Sequence, residues 1–556
     1  MWCGVVHNST TRDRALGHGS YRGRVRRHPL VPLTPAQPRR TSLRRGGLAR
    51  LAGLVAAAAL VVAGCTPSDT QRTPPQVVTP DASSAPDAAL ERYYGQEITW
   101  QTCDESRDDL QCATVEAPLD YADPAGEAIK IRLAVHRATG DERLGSLLLN
   151  PGGPGGSGVD FLPSALDVVT EDVQERYDLV GFDPRGVQSS DPRVTCYSAP
   201  EMDALLAADA DTSSPQGVQE AIDRFAAFGQ ACLENTGPVL GHVDTVSAAR
   251  DMDILRAVLG DTALHYLGFS YGTQLGATYA SLFPQRVGRL VLDGAVDPTL
   301  SSDEATFQQA VGFENALRAY VEDCQAGRTC PLRGDVDEGL AQIRRLLDRA
   351  KASPLPTGDD ERPLTQSLAF TGIAVTLYSQ KYWNYLTSAL TAAIRDNDGS
   401  ILLTLSDAYY DRKSNGTYGN NSTEAFWSIG CVDSRSSSDL DHMAAQAERI
   451  QAAAPTVAAA FSYGGVLCAQ WPVPVVGGLD DYSAAGAAPI LVVGTTNDPA
   501  TPYAQAEALA ELLDSGVLLT YEGEGHTAYG QSNECVARNV DAYLLEGTVP
   551  AEGTRC

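Results

Sequence analysis

A serine, an acid and a histidine can together perform acyl transfer, and this chain carries one of each where a substrate could reach it. Ser270 stands in Gly268-x-Ser270-x-Gly272, after the apolar run Ala263–Leu267 and before the helix-like stretch TQLGATYASLF. Strand, glycine-flanked serine and helix make a nucleophile elbow, in which the glycines allow a strained turn that lifts the hydroxyl above a sheet. A plain tight turn would use the same glycines, so the serine needs partners. Beyond residue 65 the chain has five histidines: His136, His242, His265, His442 and His526. His136 and His265 fall inside predicted strands, His242 precedes a helix, and His442 lacks glycine-rich surroundings. His526 lies in EGEGHTAYG after the last predicted strand, a loop able to carry an imidazole over the sheet edge. Asp498, in GTTNDPATPY and 28 residues before His526, is the acid that would fix the imidazole tautomer. Asn-Asp-Pro is also a turn sequence, and the two roles are compatible.

Acyl transfer also needs donors for the tetrahedral oxyanion, commonly worth ~3 kcal/mol each. LLLNPGGPGGSG leaves an early strand as a glycine-rich loop, and the N–H groups of Gly153 and Tyr271 are the candidates. The same loop matches the dinucleotide fingerprint at Gly153-x-Gly155-x-x-Gly158, with Asp183 beyond it. Pro154 inside the turn, a complete triad elsewhere and an exported setting argue against that reading.

The chain order serine, acid, histidine is the order of the α/β-hydrolase fold. Short apolar runs at 129–137, 145–150, 177–183, 263–268, 287–294, 488–495 and 516–523 alternate with helical patterns such as 245–260. The spacing predicts a mostly parallel central sheet with helices on both faces, residues 89–296 and 488–556 forming the core. Between the last two pairs of runs lie about 190 residues, where a crossover needs about a dozen. Residues 297–487, rich in patterns such as YWNYLTSALTAAIRD, are expected as an inserted, largely helical cap.

The formal charge of −28 is uneven. Residues 1–64 hold 11 arginines, no lysine and one acid, so of 42 bases and 70 acids the remainder keeps 31 and 69, a net charge of −38. A body this acidic is poorly suited to a phosphate backbone, and no nucleic-acid partner is expected. Residues 1–64 read as a signal peptide: arginines, an apolar run Leu51–Ala63 too short for a permanent span, then Gly64-Cys65. Residues 1–42 exceed what a signal needs, as an over-extended start would give. Val62-Ala63-Gly64-Cys65 resembles the lipobox of bacterial lipoproteins, which implies a lipidated Cys65, a flexible tether over 65–88 and membrane contact through the lipid alone.

Ten cysteines remain once Cys3 and Cys65 are set aside, an even number in an exported chain. Sequence neighbours pair them as Cys103–Cys112, Cys196–Cys232, Cys324–Cys330, Cys431–Cys468 and Cys535–Cys556, although spacing alone does not fix connectivity. Scattered cysteines without CxxC or HExxH favour disulfides over a metal site, and no metal or cofactor is expected.

NPGGPGGSG, YDLVGFDPRGVQSS, LGFSYGTQLGATYASLFPQRVGRLVLDGAVDP, GTTNDPATP and GEGHTAYG together resemble the α/β-hydrolase peptidases related to prolyl aminopeptidase. The likeness is greatest to the secreted tripeptidyl aminopeptidases of actinobacteria and runs from about residue 98 to the end. It implies a serine exopeptidase that acts on peptide or protein N-termini and releases tripeptides, with Ser270, Asp498 and His526 as the triad. It also implies that Asp433, in SIGCVDS, holds the substrate ammonium; the residues alone leave an exposed cap acid as the other reading. Asp183 and Arg185 of FDPRG are expected as a structural turn and buried pair. Asn150-Pro151 departs from the His-Gly-Gly-Pro-Gly of prolyl aminopeptidases, so single-proline specificity does not carry over. A carboxylesterase or lipase would use the same triad, and a tethered solute-binding lipoprotein would use none.

Overall fold

Each of the seven apolar runs forms a strand, with ends displaced by no more than about two residues. The computed structural model describes residues 77–78, 85–104, 107–434 and 436–556. Its main sheet contains β1 (Gln101–Asp104), β2 (Arg107–Pro118), β3 (Ala128–His136), β4 (Gly145–Asn150), β5 (Tyr177–Asp183), β6 (Leu264–Phe269), β7 (Val287–Asp293), β8 (Ile490–Asn497) and β9 (Gly516–Glu524). The spatial order is β9-β8-β7-β6-β4-β5-β3-β2-β1. From β5 to β9 all neighbours run parallel, whereas β1, β2 and β3 pair antiparallel with one another and β3 with β5. β4 and β5 are buried at every position, as strands covered on both faces must be. Period-two alternation then sorts the side chains. Leu147, Leu149, Leu179, Leu267 and Val291 face one apolar cluster, while Leu148, Val180, Tyr266, Leu290 and Val492 face the other. β1 and β2 were not expected from the sequence. Polar residues interleave with the apolar ones of LQCATVEAP, so no apolar run marks the strand.

Eight helices bear on the site: α1 (Gly158–Val168), α2 (Thr245–Val258), α3 (Tyr271–Leu282), α4 (Ser302–Ala326), α5 (Gln366–Leu377), α6 (Ser422–Asp433), α7 (Tyr503–Leu512) and α8 (Glu534–Glu546). Side-chain caps start several of them: Ser157 accepts the Asp160 N–H, Asp244 the Ser247 N–H and Ser301 the Glu304 N–H. Among the described residues, the regular elements between β7 and β8 are helices joined by irregular segments, with the isolated bridges Leu355–Leu364 and Arg412–Tyr418. α6 is tied to the sheet side along its length. Asn421, just before it, donates to the Gly186 and Val194 carbonyls and accepts the Gln188 N–H; Glu424 accepts the N–H groups of Cys196 and Tyr197.

All five disulfides form with the partners expected from their neighbours in sequence. Asp183 and Arg185 are both fully buried, but not as a pair. Arg185 makes a two-pronged contact with Asp251 at 2.7 Å and 2.7 Å and donates to the Pro118, Leu119 and His242 carbonyls. The Asp183 carboxylate instead accepts from Ser157 and from the Val159 and Ser189 N–H groups, anchoring the start of α1. Cys65, the signal peptide and most of the tether lie outside the described residues.

Candidate active site

Ser270 sits between β6 and α3 with φ 57° and ψ −126°, a left-handed conformation that costs a non-glycine residue of order 1–3 kcal/mol. Its neighbours leave no room for anything but glycine. A Cβ at 268 would fall 2.5 Å from the Gly272 carbonyl and 2.5 Å from Tyr266 Cε1, and one at 272 would fall 2.9 Å from Asn150 Oδ1. The turn is held by bonds around it: the Ser270 N–H donates to the Asp293 carbonyl at 2.9 Å, and the Tyr266 hydroxyl to the Gly272 carbonyl at 2.8 Å. Thr273 Oγ1 donates to the Ser270 carbonyl, closing the first turn of α3. The half-buried serine is thereby presented at the C-terminal edge of the sheet.

The acid and the histidine meet at the same edge. Asp498 follows β8, and both its oxygens lie 2.9 Å from His526 Nδ1. The pair is almost fully buried, Asp498 at 2% and His526 at 5% exposure. The rest of the carboxylate is saturated: one oxygen accepts the Ala500 and Thr501 N–H groups, the other the Thr501 hydroxyl and the Thr527 N–H. The Asn-Asp-Pro turn and the ion-pair partner are one structure. On its far side the imidazole meets Tyr378 edge-on, ring centroids 5.2 Å apart, and its backbone N–H donates to the Tyr378 carbonyl at 2.9 Å. His526 Nε2 is buried and, among the described residues, has no hydrogen-bond partner. An unpaired Nε2 could take a proton from a hydroxyl brought against it. The other histidines are elsewhere: His265 Nδ1 accepts the Arg289 N–H, and His442 pairs with Asp303 at 2.6 Å on the surface.

The glycine-rich loop lies directly against the elbow. Gly152 has φ 91°, and a Cβ there would fall 2.4 Å from the Phe269 carbonyl, 2.9 Å from Ser270 Cβ and 3.2 Å from the Tyr271 nitrogen. Buried Asn150 fixes the loop by accepting the Gly152 N–H at 2.8 Å. Gly153 follows Gly152 in this loop, and Tyr271 opens α3, where first-turn N–H groups have no intrahelical partner.

Asp433, the last residue of α6, is half-buried. Its carboxylate accepts the Thr245 N–H at 2.8 Å and hydroxyl at 2.5 Å, and Thr245 Oγ1 in turn meets the Tyr271 hydroxyl at 2.5 Å. The acid therefore lies one threonine away from the residue that follows Ser270. Burial pushes its pKa up to about 7 against the pull of Thr245, with the Asp244 charge pushing the same way. Tyr378 also lines a cavity of about 420 Å³, together with Phe313, Phe370, Tyr409, Trp427 and Tyr463. Among the described residues no cluster of three or more His, Cys, Asp or Glu could hold a metal ion.

Four further residues shape this edge. Asn150 and Asp293 close β4 and β7, a place where functional residues are expected, and Asn150 and Thr501 bond near neighbours, Gly152 and Asp498; the contacts of Asp293 and Tyr378 with the loop around His526 join distant parts of the chain and leave no local signal.

Comparison with known proteins bears on what this edge does. Residues 454–556 match the family model described as TAP-like protein. Over 536 residues the chain is 38% identical to serine protease Hip1 of Mycobacterium tuberculosis, covering 92% of this chain and 99% of that one. It is 37% identical over 488 residues to carboxylesterase B of the same organism, covering 86% and 92%. Tripeptidyl aminopeptidase of Streptomyces lividans is 31% identical over 477 residues, covering 83% and 86%.

Proposed function

The chain belongs to the TAP-like family of α/β-hydrolase serine hydrolases, with serine protease Hip1 and the tripeptidyl aminopeptidases among its relatives, and on that premise we propose an exported exopeptidase that releases tripeptides from free N-termini. Ser270 is its nucleophile, His526 its base and Asp498 the acid that orients the base. His526 Nε2 takes the proton of Ser270 Oγ as that oxygen attacks the scissile carbonyl, and the N–H groups of Gly153 and Tyr271 receive the oxyanion. The imidazolium, stabilised through Nδ1–H by Asp498, then protonates the leaving amine. Water enters, gives its proton to His526 and hydrolyses the acyl-enzyme, returning Ser270 to its start. Asp433 takes the substrate ammonium, and the helical segment 297–487 restricts entry to chain ends.

The observation that carries this reading is the buried His526–Asp498 contact, 2.9 Å to each oxygen, beside a serine held at φ 57°. Export is supported by five disulfides, which persist in oxidising compartments, and by the lipobox-like Val62–Cys65. An esterase is the second reading, favoured by the 37% identity to a carboxylesterase and by the aromatic cavity that Tyr378 lines. A solute-binding role is set aside, because the family is one of enzymes.

The test is product analysis by mass spectrometry, using a short peptide with a free N-terminus, its N-acetylated twin and the Ser270→Ala protein as control. Tripeptide release from the free peptide alone agrees with the proposal. Internal cuts, or equal cleavage of the acetylated peptide, contradict it.

A further inference from the structure

Asp293 is a buried carboxylate at the reacting edge that the scheme above leaves without a role. It closes β7 and is fully buried. Its backbone carbonyl accepts the Ser270 N–H at 2.9 Å. Its carboxylate accepts the Ala528 N–H at 3.0 Å to each oxygen and the Tyr529 N–H at 2.7 Å. With the Thr527 N–H on Asp498, three consecutive N–H groups directly after His526 are divided between two carboxylates. That division holds an awkward loop. Thr527 is β-branched yet has φ 68°, a conformation such residues avoid. Gly294, the next residue after Asp293, completes the contact: a Cβ there would come within 3.2 Å of His526 Cε1.

We infer that Asp293 is a positioning residue, which fixes the place of His526 relative to Ser270 by binding the elbow through its carbonyl and the histidine loop through its carboxylate. The inference rests on the triad reading. A buried carboxylate is retained at a cost unless donors compensate it, and a purely apolar strand end would avoid that cost. The charged side chains facing Asp293 are His526 and Asp498. Burial pushes its pKa up to about 7, the Tyr529 and Ala528 N–H groups pull it down, a charged His526 favours its ionisation, and Asp498 opposes it. Protonating Asp293 weakens its hold on the loop. Loss of activity on acidification should therefore include a proton taken up by Asp293 in addition to the one that blocks the catalytic base.

The test is the rate of Ser270 labelling by a fluorophosphonate, followed against pH, together with kcat and KM for a free-amine tripeptide anilide. The probe carries no ammonium, so Asp433 does not enter its profile. In the wild type the acid limb should steepen toward a two-proton slope. In Asp293→Asn it should show one proton, and kcat should fall by on the order of 100-fold with KM unchanged, as expected for a displaced base. Asp293→Glu, which keeps the charge, should retain the two-proton limb at reduced kcat. A one-proton limb in the wild type overturns the inference and needs no variant. So does an Asp293→Asn protein with wild-type kcat, or one with lowered kcat and an unaltered limb. Failure of the wild type to label at Ser270 would instead strike the triad reading.

Discussion

Replacing Asp498 by asparagine tests the site with little change of shape. One oxygen of Asp498 accepts the Ala500 and Thr501 N–H groups, and an asparagine oxygen at that place keeps the turn. The amide nitrogen then stands where the other oxygen met the Thr501 hydroxyl, the Thr527 N–H and His526 Nδ1. With a donor in place of one of its two acceptors, Nδ1–H loses half of its hold, and the tautomer with the proton on Nε2, which bars transfer from Ser270, gains population. The same tautomer error in a serine protease costs about 10⁴ in kcat, equivalent to about 5.4 kcal/mol at ~1.36 kcal/mol per tenfold. Substrate binding does not use this group, so KM should hold. The assay is kcat and KM for tripeptide anilide cleavage by wild type and Asp498→Asn, with thermal unfolding to confirm that the variant is folded. A folded variant that keeps more than about a tenth of wild-type kcat would refute the reasoning, because no orienting acid could then be assigned to Asp498.

Gly152→Ala should lower kcat by about 10²–10³, the value of one lost oxyanion donor, because its Cβ must push the loop away from Ser270 Cβ and the Tyr271 nitrogen; steady-state kinetics on the folded variant would show it, and unchanged kcat would mean the loop does not serve the oxyanion. With its pKa raised to about 7, Asp433 is charged above that pH and neutral below, so KM for free-amine peptides should rise as pH falls through about 7. Asp433→Asn should remove that limb, and a limb that survives in the variant rules Asp433 out as the ammonium site. Loop-closure entropy ranks the disulfides. Losing Cys431–Cys468, with a separation of 37, should cost about 4 kcal/mol, and losing Cys324–Cys330, with a separation of 6, about 2 kcal/mol. Denaturant unfolding of the paired serine variants measures both, and a reversed order would contradict the ranking.

Much of the reacting edge is legible from local sequence because its members stand at strand ends. β6 ends in a serine between glycines, β8 runs into Asn-Asp-Pro, and β9 runs into a glycine-rich loop around His526. Each of these is a break in an apolar run that the eye finds without partners. The cysteines are legible because each disulfide joins neighbours in sequence. The antiparallel flank β1–β2 carries its signal as polar–apolar alternation, unlike the continuous apolar runs that mark the buried parallel strands. Arg185 was expected to pair locally within FDPRG, but its guanidinium reaches Asp251 on α2, which only folding brings near. Asp293 is hidden differently. Its position at the end of a strand is visible, but its meaning depends on the loop after His526, more than 200 residues away in the chain. Asp433 shows the same limit: its residue type fits an ammonium site, while its contact with Thr245, and through it with Tyr271, exists only in the fold.

The measurement closest to the central claim is release of p-nitroaniline from Ala-Pro-Ala-p-nitroanilide, beside its N-acetylated form and p-nitrophenyl butyrate, with Ser270→Ala throughout. The account predicts rapid turnover of the free-amine anilide, little of the acetylated one, and none by Ser270→Ala. Turnover of the butyrate alone would contradict it, leaving an esterase with the same serine, histidine and acid.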